Sequence, residues 1–108
     1  MSEARTAPIV RMAELEIEAD QLEAYRLLLA EEIEASVTME AGVLMLNAVA
    51  LRDEPNQIRI LEVYASQRDY EAHLQTPHFL KYKSLTSGMV KALRLIDVDP
   101  LLMRSKMD

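Results

Sequence analysis

The chain has 108 residues, of which 50% are apolar and 28% are charged, and its formal net charge is −6 at pH 7. This length supports one modest core, so we expect a single domain over residues 1–108 and no separate cofactor domain. The negative charge argues against nucleic-acid and anionic-membrane partners, and the absence of cysteine excludes disulfides and thiolate metal sites.

The sequence also lacks targeting and phosphate-binding signals. Met1–Pro8 contains no apolar segment typical of a secretory signal, and no apolar run is long enough to cross a membrane. With only two glycines, the chain has no glycine-rich phosphate loop. We therefore expect a cytoplasmic protein.

The first part of the chain predicts a strand followed by a helix. Residues 9–17 show period-two alternation of apolar and acidic side chains. Asp20 predicts the helix N-cap, and Gly42 predicts the helix end through a left-handed conformation. The glutamates at residues 31–34 lie largely off the apolar stripe and predict a solvated face. That stripe follows helical spacing and consists of Leu22, Tyr25, Leu29, Ile33 and Val37.

The middle of the chain predicts a hairpin. Residues 43–51 are almost entirely apolar, which is typical of a strand covered on both faces, and residues 57–65 read as its partner across a turn at 53–56. Pairing of residue 51 with residue 58 places Asn47 opposite Glu62. A different turn would shift this register.

The last part predicts two short helices and a final strand. Ser66 caps a helix from Gln67 to about residue 74, and Thr76 with Pro77 begins the next helix. Residues 90–98 predict the last strand.

The resulting order, βαββαβ, predicts a ferredoxin-like α+β fold, in which two helices pack on one face of a four-stranded antiparallel sheet. We expect the core of the domain to span residues 8–98, followed by an apolar tail at 99–108. The strands carry more apolar side chains than an exposed face should hold, so we expect a homodimer that buries these faces together.

Glu62 is unusual because glutamate is depleted in strands, and this one lies between Ile60 and Tyr64 on the same strand face. One interpretation is a semi-buried acid or base with a raised pKa. The other is a hydrogen-bonded structural carboxylate. The strand pattern leaves both open.

His73 and His78, the two histidines of the chain, flank the break between the short helices. They suit a proton shuttle and a hydrogen-bond donor to a substrate oxygen, or a pair of polar residues that secure a helix junction. A His-His-Glu metal site is conceivable, but the five-residue spacing of the histidines across a proline differs from zinc-protease motifs, so we expect no metal. Phe79 and Tyr82 follow helical spacing and belong either to a substrate pocket or to the core.

The segments Glu62-Val-Tyr64 and His73-Leu-Gln-Thr-Pro-His78-Phe79, with Tyr82, resemble the antibiotic biosynthesis monooxygenase family, over about residues 8–98. The resemblance implies a dimeric α+β barrel. One branch oxygenates quinols or polyketide phenols with O2 and without cofactor. Autoinducer-2 processing isomerases carry a very similar run, and a third branch degrades haem but depends on a tryptophan that this chain lacks.

This resemblance implies catalytic roles for Glu62, His73 and His78, and a substrate-binding role for Tyr64, with Phe79 and Tyr82 as pocket candidates; the hairpin register adds Asn47 to the substrate-binding set. The first functional hypothesis is a cofactor-independent monooxygenase of a quinol-like or phenolic molecule. The alternatives are an isomerase of a small phosphorylated sugar-like signal and a non-catalytic ligand-binding dimer.

Overall fold

The computed structural model describes residues 7–107 as a four-stranded antiparallel sheet with helices packed on one face. Along the chain lie β1 (Ile9–Ile17), a 3-10 turn (Ala19–Gln21), α1 (Leu22–Met39), β2 (Val43–Leu51), β3 (Glu54–Tyr64), α2 (Gln67–His73), α3 (Pro77–Thr86) and β4 (Val90–Val98). The strand order is β2-β3-β1-β4, so the predicted ferredoxin-like α+β fold is confirmed. Within residues 7–107, no helix is long and apolar enough to span a membrane.

The core fills the space between the sheet and the helices. The alternation of β1 turns Ala13, Leu15 and Ile17 toward the helices, where each is at most 5% exposed. Ile58 and Ile60 on β3 lie opposite Leu15 and Ala13 in the register. Tyr25 and Leu29 of α1 close the cluster from the other side.

Both short helices begin where the capping pattern predicts. The Ser66 hydroxyl accepts a hydrogen bond from the Asp69 backbone N–H at 3.1 Å, and the Thr76 hydroxyl accepts one from the Phe79 N–H at 3.3 Å. Pro77 occupies the first turn of α3, where a missing N–H costs nothing. The two caps set the residues at which α2 and α3 begin, and His73 and His78 lie on either side of the junction between these helices.

The expected ends of α1 are wrong in detail. Asp20 lies within the 3-10 turn rather than at the cap, and α1 begins at Leu22 without a side-chain cap. Gly42 does not adopt the left-handed conformation, since its φ is not positive. The helix ends instead at Glu40, whose backbone is extended. Gly42 is needed for close approach instead: a Cβ there would lie 2.3 Å from Asp69 Cγ.

The hairpin differs from the expected register by one residue. β3 begins at Glu54, which pairs with Leu51 across a tighter turn than expected, and a register irregularity follows Ala50. Leu46, not Asn47, therefore lies opposite Glu62, and Asn47 pairs with Leu61. Since neighbouring residues of a strand point to opposite faces, Asn47 and Glu62 lie on opposite faces of the sheet.

The apolar β2 is an edge strand and is not covered on both faces within one chain. Val49 is 61% exposed and Leu51 is 38% exposed. In the tail, Leu101 and Leu102 are also largely exposed. The predicted homodimer stays a prediction that this exposed apolar surface motivates.

Candidate active site

A cavity of about 350 Å³ lies between the sheet and the helices, within the range of small-molecule sites. β1 and β4 form its apolar floor. Its polar side chains are unusual for an interior and come from four elements: α1, β3, α2 and α3. They include Glu32, Glu62, Tyr64, His73, Tyr82 and Lys83.

Glu62 lies on the helix-facing side of β3, with its neighbours Ile60 and Tyr64 both buried. The Tyr64 hydroxyl donates a hydrogen bond to Glu62 Oε1 at 2.9 Å. Burial raises the pKa of Glu62 above its ordinary value, although the Tyr64 hydrogen bond and the positive charge of Arg11 partly oppose the shift. Glu62 is therefore a fixed, partly desolvated carboxyl group whose protonated form is favoured relative to that of an ordinary glutamate.

Glu32 is a second carboxylate of this cavity, and it is only 6% exposed. The Ser36 hydroxyl, one turn later on α1, donates to Glu32 Oε1 at 2.6 Å. Burial raises the pKa of Glu32, and the Ser36 hydrogen bond opposes that shift. The expectation of a solvated acidic face is wrong at this position. Tyr25, Leu29, Glu32 and Ser36 form the buried stripe of α1, whereas the expected Val37 is 46% exposed.

His73 ends α2 in a position that is only 2% exposed, between two carboxylates. Its Nδ1 lies 3.0 Å from Glu40 Oε2, and its Nε2 lies 3.9 Å from Glu32 Oε2. His78 Nε2 lies 2.5 Å from the same Glu40 oxygen. Glu40, just beyond α1, thus joins both histidines, and sequence analysis missed it because it follows an exposed stretch of helix.

The aromatic wall comes from α3. Phe79 packs against His73 with ring centroids 4.9 Å apart, and the Tyr82 hydroxyl is 2.6 Å from the hydroxyl of Tyr25. Burial raises the pKa of both tyrosines, so their phenols stay neutral at physiological pH and can donate hydrogen bonds. Burial and the neighbouring Glu62 carboxylate also raise the pKa of Tyr64.

The sequence profile of the antibiotic biosynthesis monooxygenase family matches residues 8–85. The chain belongs to this family. A solved structure from Bacteroides thetaiotaomicron, of a protein assigned by name to the same family, is 46% identical and superposes with a TM-score of 0.90. That match covers 94% of this chain and 97% of the other.

Two further solved structures are more distant relatives by sequence. A protein from Lactobacillus acidophilus named as a candidate monooxygenase is 25% identical, with a TM-score of 0.81, over 91% of this chain and 53% of that one. A protein from Nitrosomonas europaea, 19% identical over 93% and 96% of the two chains with a TM-score of 0.82, shows the shared fold. No curated protein matches this chain.

Within this member of the antibiotic biosynthesis monooxygenase family, most of the predicted site residues come together. Glu62, Tyr64, His73, Phe79 and Tyr82 line the cavity. His78 is not among the lining residues and contacts Glu40 behind the wall formed by His73. Asn47 is exposed and lies on the opposite face of the sheet from Glu62, so the structure separates it from the predicted site.

The arrangement can move protons and can hold a cation. Two carboxyl groups with raised pKa values flank an apolar space, which suits general acid–base chemistry on a bound organic molecule. Nitrogen and oxygen atoms of Glu32, His73 and His78 all lie within 4.8 Å of one another, a spacing compatible with ligation of one metal ion. The sequence made a His-His-Glu set conceivable, and the structure brings Glu32 to the two histidines.

Proposed function

We propose that this protein is a cofactor-independent monooxygenase that oxidises a hydroquinone-like or phenolic molecule with O2 in the 350 Å³ cavity. The single observation that carries the proposal is the Glu62 carboxyl group, half-buried in this cavity and held by the Tyr64 hydroxyl. Membership of the antibiotic biosynthesis monooxygenase family supports the same reaction class.

The proposed chemistry needs a base because O2 reacts readily only with an electron-rich substrate anion. Glu62 takes the proton of a bound hydroxyl group, and its raised pKa makes it a stronger base than an ordinary glutamate. The hydroquinone anion then gives four electrons to O2: one oxygen atom enters the ring and the other leaves as water. For benzohydroquinone the products are hydroxybenzoquinone and one water molecule, so all atoms balance.

The neighbouring side chains take different roles in this proposal. Tyr64 acts as a positioning residue, because its hydroxyl hydrogen bonds to Glu62 rather than pointing a free donor at a substrate. Tyr82 lines the space and can donate to a substrate oxygen, and the His73 ring lines the space beside Glu32. His78 acts through Glu40 on the orientation of His73, so we replace its expected catalytic role by a positioning role.

The isomerase hypothesis receives less support from the cavity. A phosphorylated substrate carries negative charge and favours a site rich in cations. Among the described residues that line the cavity, Lys83 is the one lysine, whereas Glu32 and Glu62 supply two carboxyl groups. We therefore place a neutral aromatic alcohol ahead of a sugar phosphate as the substrate class. The homodimer remains part of the proposal, because a second copy of the chain would bury the exposed apolar side chains of β2.

The test is oxygen uptake with a panel of benzohydroquinones and naphthohydroquinones in the presence of a metal chelator. We expect uptake by the native chain to exceed autoxidation and to fall at least tenfold in Glu62→Gln. Glu54→Gln, an exposed carboxylate on the same strand, is the matched control and should keep full uptake.

Three outcomes are informative. Loss of uptake in a folded Glu62→Gln variant, with a normal control, supports the proposed base. Equal uptake in both variants refutes the role of Glu62. Uptake no faster than autoxidation across the panel refutes the quinol oxygenase and favours the isomerase or ligand-binding alternative.

A further inference from the structure

We propose that Glu32, His73 and His78, beside the cavity, bind one divalent transition-metal ion of the zinc, nickel or copper kind. These residues come from three elements, α1, α2 and the first turn of α3, and their ligand atoms lie within 4.8 Å of one another. Glu32 and His73 line the same cavity as Glu62, but metal binding does not depend on the proposed oxygenation.

The pair formed by Glu32 and His73 is already close to ligand geometry. Glu32 Oε2 and His73 Nε2 are 3.9 Å apart, which is too long for a hydrogen bond. Ligands at about 2.1 Å from a tetrahedral ion lie about 3.4 Å from each other, so binding requires a sub-ångström movement of this pair. Ser36 holds the other Glu32 oxygen at 2.6 Å and leaves Oε2 directed at the histidine.

Glu40 supplies the outer support that metal-binding histidines usually have. Its Oε2 is 3.0 Å from His73 Nδ1, so it holds the hydrogen of the neutral imidazole on Nδ1. The lone pair of Nε2 then faces the Glu32 carboxylate. Two lone pairs that face each other repel unless a cation lies between them, and either a proton or a metal ion can serve.

The charges and ligand types favour a divalent transition metal. A divalent ion at this position would lie beside two neighbouring carboxyl groups, Glu32 and Glu40, and would offset their negative charge. Imidazole ligands favour zinc, nickel or copper over magnesium and calcium. His78 shares its Nε2 with Glu40, so it must leave that hydrogen bond, or use its other nitrogen, to ligate. Three protein ligands leave a fourth tetrahedral position for water or another ligand.

The test is direct binding to the full chain, freed of metal by chelation, with no substrate present. Isothermal titration with Zn²⁺ should give one equivalent per chain. Titration with Co²⁺ should give the visible absorption of a four-coordinate complex. Glu32→Gln keeps the size of the side chain and should weaken Zn²⁺ binding at least tenfold. Glu31→Gln is the matched control, because its exposed side chain pairs with Lys81 instead.

The outcomes separate this site from adventitious binding. Weakening in Glu32→Gln but not in Glu31→Gln supports the site, and circular dichroism shows whether each variant is folded. Equal binding in both variants, or no saturable binding by the native chain, overturns it. If Glu32→Gln does not fold, His78→Gln, at a half-buried position, gives the same comparison. Because no oxygen uptake is measured, failure of the proposed reaction does not affect this result.

Discussion

Replacement of Glu62 by glutamine should stabilise the folded chain at neutral pH even though it removes the proposed base. Burial raises the pKa of Glu62 in the folded state, so between the unfolded and folded pKa values the folded chain binds more protons than the unfolded chain. The contribution of Glu62 to stability is therefore fully present below the unfolded pKa and is lost as the pH rises through the folded pKa. Glutamine carries no charge and removes this dependence.

The size of the effect follows from two opposing contributions. Desolvation of the charged carboxylate destabilises the folded chain by about 2 kcal/mol. Glutamine is uncharged and avoids this destabilisation. The carboxylate also accepts the Tyr64 hydrogen bond at 2.9 Å. A hydrogen bond to a neutral acceptor stabilises the folded chain by about 1 kcal/mol less than one to a charged acceptor. We expect a net gain on the order of 1 kcal/mol at pH 8 and no gain near pH 4.

Urea denaturation at a series of pH values measures this gain. All curves are compared at one protein concentration, because a dimer would make the midpoint depend on concentration. The exposed Glu54→Gln should follow the native profile. Parallel pH profiles for native chain and Glu62→Gln, or a variant less stable than the native chain at pH 8, would refute the account of a desolvated carboxylate.

Three further predictions concern packing and assembly. Gly42→Ala should lose about 1–3 kcal/mol in thermal unfolding, because its Cβ would overlap Asp69; an unchanged midpoint would contradict the close approach. Tyr82→Phe should lose about 1–3 kcal/mol, because it leaves the buried Tyr25 hydroxyl without its 2.6 Å partner, and urea unfolding against the native chain checks this loss. Light scattering should give twice the chain mass of 12.3 kDa, and a mass of one chain would contradict the homodimer.

The element order and the helix junction could be predicted from the sequence because their signals are local. The period of two in β1 and the caps at Ser66 and Thr76 involve residues within three or four positions of each other. The hairpin register could not be fixed in the same way. It depends on which residues form the turn, and a single extra residue changes the face on which Asn47 lies.

The acidic half of the site was missed because its residues look ordinary in the sequence. Glu32 stands in a run of glutamates, yet it lies three positions after Leu29 and seven after Tyr25, which is the spacing of the buried stripe. A search for apolar residues passes over it. The chemistry-bearing residues of β3, α2 and α3 were found because a strand glutamate and a paired-histidine junction are unusual in themselves.

The two cavity carboxylates, buried Glu32 and half-buried Glu62, are better explained by function than by folding. Apolar side chains at positions 32 and 62 would extend the cluster of Leu29 and Ile60 without any cost of desolvation. Instead both acids lie beside a cavity, and the hydroxyl groups of Ser36 and Tyr64 donate hydrogen bonds to them. Residues that oppose stability and yet have dedicated hydrogen-bond partners are expected where a protein handles protons, charges or ions. The two acids are therefore the groups to which we assign the proposed functions of the cavity, and Glu62→Gln and Glu32→Gln test the two assignments separately.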